Sequence, residues 1–107
     1  MRIGEIIAAK RPVFSVEFFP PKTEEGRAQL FETARSLAEL ELDFVSVTYG
    51  AGGTTRGDTR DVVLAIDGEQ SFPAMPHLTC IGHGRAELAA LLAEYRSAGI
   101  DNILALA

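Results

Sequence analysis

Three observations on the sequence predict an α/β fold of parallel βα units, a partial (βα)8 TIM barrel. Strand and helix patterns alternate along the chain, which implies parallel strands joined by right-handed crossovers. The strands recur at a constant interval: Ser15, Ser46 and His77 are spaced by 31 residues, and so are Glu17, Thr48 and Thr79. Each strand also has one polar and one apolar face. Ser15 and Glu17 oppose Phe14, Val16 and Phe18; Ser46 and Thr48 oppose Val45 and Val47; His77 and Thr79 oppose Leu78 and Cys80. An open doubly wound sheet is covered by helices on both sides and reads apolar on both. In a barrel the helices cover one face and the other looks inward. A half-open sheet with one solvated face is the plainer alternative for the same pattern.

The elements follow in order. Val13 to Phe19 is a β-branched and aromatic run that predicts a strand, ended by Pro20-Pro21. Thr23 to Glu41 predicts a helix, with Leu30, Ala34, Leu37 and Ala38 on one face and acidic Glu24 and Glu25 in the first turn. Asp43 to Tyr49 is the second strand, and the glycine-rich loop Gly50 to Gly57 leads to a short helix near Asp58 to Gly68, with Asp58 as its N-cap. Pro76 to Ile81 is the third strand. Arg85 to Ala98 is a helix with Leu88, Leu91, Leu92 and Tyr95 on one face and Gly99 as its C-terminal cap. Asn102 to Ala107 is the fourth strand.

With 107 residues the chain is too short for a whole barrel, which takes roughly 250. It is expected to be the N-terminal part of a single barrel domain over residues 1–107, three βα units plus one strand, truncated in strand four. The net charge of -5 disfavours a nucleic-acid backbone as partner. One cysteine, Cys80, permits no internal disulfide and fits a reducing cytoplasm. No apolar run is long enough for a membrane helix, and no signal peptide is evident. A homo-oligomer is the expected assembly.

Glu17 is the first candidate for chemistry. A carboxylate in an apolar run is costly to bury without a partner or a task. Either it pairs with an arginine inside the barrel, or it is a general acid kept protonated by partial burial beside Phe18 and Phe19. His77 and Thr48 face the same side. His83, in the loop Ile81-Gly82-His83-Gly84, is expected to be solvated, and Cys80 to be a small core residue. The loop Gly50-Ala51-Gly52-Gly53-Thr54-Thr55 follows a strand and precedes a helix, yet Thr55 stands where a dinucleotide fingerprint needs its third glycine. A P-loop is also excluded, because no Gly-Lys-Ser/Thr follows. What remains is a loop whose amides are free to approach a ligand. Arg56-Gly57-Asp58 matches a cell-adhesion tripeptide by coincidence. No residues have metal-ligand spacing.

Ser15-Val16-Glu17-Phe18-Phe19-Pro20-Pro21-Lys22-Thr23, then Phe44 to Gly53, then His77-Leu78-Thr79-Cys80-Ile81-Gly82-His83, closely resemble the methylenetetrahydrofolate reductase family. Ala98 to Leu106 resembles it too, so the likeness runs in order over nearly the whole chain. The resemblance implies a barrel oxidoreductase carrying FAD. Such enzymes take a hydride from NAD(P)H and reduce 5,10-methylenetetrahydrofolate to 5-methyltetrahydrofolate, a step of one-carbon metabolism and methionine biosynthesis. It implies that Glu17 is the general acid that opens the folate's five-membered ring. It implies that Thr48, Tyr49, Ala51 and His77 bind the cofactor, and that Phe18, Phe19, Pro20, Pro21 and Lys22 lie on the nicotinamide and substrate side. The family follows strand four with Arg-Gly-Asp, where this chain has Ala107 and ends. Gly84 stands where a helix-capping serine is common. As an isolated chain the protein is therefore expected to be incomplete and inactive. A non-catalytic, self-associating half-barrel is one alternative; a barrel enzyme using a strand-end glutamate acid without flavin is another.

Overall fold

A computed structural model describes residues 1–49 and 56–107. Four parallel strands form one sheet in the order β1-β2-β3-β4: β1 (Ser15–Phe18), β2 (Phe44–Val47), β3 (Ala74–Thr79) and β4 (Leu104–Leu106). They alternate with α1 (Ile3–Ala9), α2 (Glu24–Ala38), α3 (Arg56–Glu69) and α4 (Arg85–Ser97). Right-handed crossovers between strands added always in the same direction put every connecting helix on one face. That is the winding of a partial βα barrel, as the alternation predicts.

The helix-side face is the core. Val45 and Val47 of β2 and Val63 and Ile66 of α3 are fully buried, joined by Phe72, Ala74, Leu78, Leu91 and Tyr95. α3 packs on both β2 and β3. Asp67 stitches its end to the sheet by accepting a hydrogen bond from the Ala74 amide at 3.1 Å.

Element ends differ from the sequence reading for local reasons. β1 is shorter than Val13–Phe19, because the Asp43 carboxylate takes the Phe14 amide at 2.8 Å. In α2, Thr23 is the N-cap, its hydroxyl accepting from Gly26 N at 3.0 Å. A Cβ at Gly26 would meet Pro21 Cβ at 3.0 Å, so a glycine lets the Pro20-Pro21 turn close on the helix. α2 ends at Ala38, and Glu41 turns the chain at φ 56°. α3 is longer than expected and places Asp58 inside its first turn, where it favours the helix dipole, rather than at the cap. β3 starts two residues earlier than Pro76. Pro76 lies one residue before the point where β4 begins to pair, at His77↔Leu104, which suits a residue without an N–H. Cys80 falls past the end of β3 and is exposed, not a core residue. Leu91 and Tyr95 anchor α4, whereas Leu92 is turned to the surface.

The C-terminus of α4 is a Schellman turn. Ile100 N donates to Tyr95 O at 3.0 Å and Gly99 N to Arg96 O at 3.1 Å, with Gly99 at φ 85°. α1 is tied to the segment before β4. The Met1 ammonium meets Asp101 at 2.7 Å, Ile3 N donates to Asn102 Oδ1 at 2.8 Å, and Asn102 Nδ2 donates to Met1 O at 2.8 Å. Lys10 pairs with Asp43 at 2.9 Å and ties the other end of α1 to the start of β2.

Candidate functional site

Period-2 alternation and the register put Ser15, Glu17, Ser46, Met75, His77 and Thr79 on the face away from the helices. The register is two residues short of the 31-residue spacing. Glu17 lies opposite Ser46, not Thr48, and Ser46 lies opposite Met75, not His77. A shift of one residue would have turned each strand over; a shift of two keeps the face and changes only the neighbours. β4 adds Leu104 and Leu106 to this face, opposite His77 and Thr79, so it is not polar throughout.

Glu17 is the centre of the site. The Ser46 hydroxyl donates to Glu17 Oε1 at 3.2 Å, and His77 Nε2 lies 3.1 Å from the same oxygen. The His77 contact falls outside hydrogen-bond geometry, so Nε2 is buried without a hydrogen-bond partner. The His77 side chain is 11% exposed and that of Glu17 is 49% exposed. The expected shielding by the phenylalanines is therefore not found. Phe18 packs on the helix side and Phe19 is 75% exposed. Glu17 has neither an arginine partner among the described residues nor an apolar cover.

Thr48, half-buried, is pinned through its backbone: its amide donates to Phe18 O at 2.9 Å, and Thr59 Oγ1 donates to its carbonyl at 2.8 Å. Thr59 is fully buried, and this bond satisfies it. The Tyr49 ring belongs to the helix-side core, and its hydroxyl lies 2.8 Å from His83 Nε2. His83, whose side chain is 3% exposed, is thus built into the structure and not solvated. Its Nδ1 lies 3.9 Å from Glu87 Oε2. Glu87 Oε1 accepts from Gly84 N at 3.4 Å, the half of a capping box that glycine permits.

The structure thus joins Glu17 to His77 and adds Ser46, which the polar-face pattern contains but no site motif singled out. Pro20 and Pro21 are half-buried and Lys22 is exposed in the turn after β1. Ala51 and the glycine-rich loop lie outside the described residues. Among the described residues no three potential metal ligands cluster, and no helix is long and apolar enough to cross a membrane.

A carboxylate, a hydroxyl and an imidazole at the C-terminal ends of parallel barrel strands are placed where this architecture carries its chemistry. They are equipped for proton transfer to a ligand on the inner face. Comparison with known proteins identifies the family. Residues 2–107 match the family model for methylenetetrahydrofolate reductase. A 5,10-methylenetetrahydrofolate reductase of Salmonella typhimurium is 42% identical over 86% of this chain and 31% of its own length. Its Escherichia coli counterpart is 40% identical over the same shares. A probable methylenetetrahydrofolate reductase (NADH) of Oryza sativa is 38% identical over 98% of this chain and 18% of its own length. The chain spans about a third of the bacterial relatives and less than a fifth of the plant one.

Proposed function

Because this chain belongs to the methylenetetrahydrofolate reductase family, we propose that it serves the NAD(P)H-dependent, flavin-dependent reduction of 5,10-methylenetetrahydrofolate to 5-methyltetrahydrofolate. In this reading residues 1–107 are the N-terminal part of one (βα)8 barrel domain, supported by the share of the relatives' length that they span. The plant relative's name supports NADH as a reductant. A cytoplasmic location is supported by the single cysteine.

The observation that carries the reading is the contact of Ser46 and His77 with one oxygen of Glu17 on the inner face. Opening the folate's five-membered ring needs a proton on the departing ring nitrogen, and Glu17 is the acid that faces the interior. FAD fits the residues present: His77 Nε2 is a buried polar atom with no hydrogen-bond partner, in the C-terminal half of β3 on the face away from the helices. His77, Thr48, Tyr49 and Ala51 would hold the flavin, and Phe18, Phe19, Pro20, Pro21 and Lys22 would line the nicotinamide and substrate side. When bound, the flavin supplies hydride acceptance and donation. Thr48 contributes a backbone fixed at both its amide and its carbonyl, so whatever it touches meets a rigid surface.

The test is Glu17→Gln, with the two half-reactions followed separately in the FAD-loaded complete barrel enzyme. Reduction of the flavin by NADH should persist, and oxidation of the reduced flavin by the folate should fall by at least about a hundredfold. Equal loss of both would reject the general-acid role.

A further inference from the structure

Both polar contacts of Glu17 fall on the same oxygen. Ser46 Oγ donates to Oε1 at 3.2 Å, and His77 Nε2 stands 3.1 Å from Oε1. Among the described residues no polar group is placed against Oε2, and the side chain is 49% exposed on the open face. The two oxygens of this carboxyl are therefore unequal. We propose that Ser46 is a positioning residue that reserves Glu17 Oε2 for the proton delivered to substrate; this rests on the general-acid reading above.

A protonated carboxyl donates from one oxygen and accepts at the other. With the Ser46 hydroxyl directed into Oε1, the acid proton sits on Oε2, which faces the ligand side. In the transfer the Oε2–H bond breaks and an N–H bond forms on the departing ring nitrogen. The C–N bonding pair goes to that nitrogen, the lone pair of the other ring nitrogen forms the C=N bond of a cationic iminium, and the balancing negative charge stays on the carboxylate. The hydrogen bond from Ser46 then becomes charge-assisted, so it is stronger after the transfer than before. An interaction that strengthens along the reaction accelerates it, whereas one of constant strength does not. Ser46 is placed for this by register: it lies opposite Glu17 in the ladder, and at 8% exposure it cannot swing into water. Two fully buried valines, Val45 and Val47, flank it and fix the strand.

The experiment compares Ser46→Ala with Ser46→Thr, which keeps the hydroxyl. In the FAD-loaded complete barrel enzyme, Ser46→Ala should slow the folate half-reaction about tenfold to a hundredfold and leave flavin reduction by NADH unchanged. Ser46→Thr should restore most of the rate. Independently of turnover, the 13C carboxyl resonance of Glu17 in the 107-residue chain should shift in Ser46→Ala and return in Ser46→Thr. An unmoved resonance and an unchanged folate rate in Ser46→Ala would overturn the assignment, as would equal slowing of both half-reactions. If Glu17→Gln abolishes the folate step and Ser46→Ala does not slow it, only the role of Ser46 falls. If Glu17→Gln leaves that step intact, the general-acid reading falls and takes this assignment with it.

Discussion

The Tyr49 hydroxyl and His83 Nε2 lie 2.8 Å apart, with their rings edge-on at 5.8 Å between centroids. This pair joins the segment after β2 to the loop between β3 and α4. It holds two strand-end loops together across the helix-side core, beside the face that carries Glu17. A part-buried hydrogen bond of this kind contributes about 1 kcal/mol. A double-mutant cycle of Tyr49→Phe and His83→Ala, followed by urea unfolding, should give a coupling energy of about 0.5–1.5 kcal/mol. Additive effects would show that the contact is not formed in solution.

Tyr95 is the opposite case. Its ring is fully buried, yet its hydroxyl has no hydrogen-bond partner among the described residues. Burial, the main cause, pushes the phenol well above its ordinary value, so it stays neutral. Tyr95→Phe removes an unsatisfied polar atom and keeps the ring, and it should raise stability by about 1 kcal/mol, or about 4–6 °C in Tm. A loss of similar size in thermal unfolding would reveal a partner for the hydroxyl.

Two positive-φ positions should respond in opposite directions. Gly99 sits at φ 85° with open space where a Cβ would go, so Gly99→Ala should cost about 1 kcal/mol through backbone conformation alone. Glu41, at φ 56°, is a non-glycine residue in the same region. Glu41→Gly relieves that strain, and after the added chain entropy it should gain about 0.5 kcal/mol. Chemical denaturation of the two variants decides the matter, and an equal sign would contradict the backbone account.

The ties at α1 define a pH window. The hydrogen bond and charge of Lys10, with the Phe14 amide, hold Asp43 below the usual carboxylate value. The Met1 ammonium does the same to Asp101, and Asp101 in turn raises the Met1 amine above 8.0. The carboxylates' contribution is present above ~3.9 and is lost as pH falls through their lowered values. The amine's contribution is present below about 8 and is lost as pH rises through its raised value. In an NMR titration the Phe14 amide should report an Asp43 midpoint below ~3.9. The Met1–Asp101 contact is exposed, so its effect should fade in high salt. A Phe14 midpoint at or above the ordinary carboxylate value would refute the Asp43 assignment.

Much of this architecture is readable from local pattern. Side-chain alternation with period two assigns Glu17 and His77 to one strand face and Val45, Val47 and Leu78 to the other, because that period follows from the covalent geometry of a strand. Gly99 as a cap and Thr23 at a helix start are equally local, since each satisfies groups within five residues of itself. Register is different. It depends on how hairpinless parallel strands slide under their helices, and no contact within one βα unit sets it. The 31-residue spacing therefore finds the right face but pairs the wrong neighbours, while the folded sheet puts Ser46 against Glu17. The burial of His83 and the exposure of Cys80 are non-local for the same reason. Each depends on what arrives from another part of the chain: the Tyr49 hydroxyl for His83, and for Cys80 the place where β3 stops. Local geometry thus makes Glu17 an inward carboxylate, and the packing of three strands makes one of its oxygens different from the other.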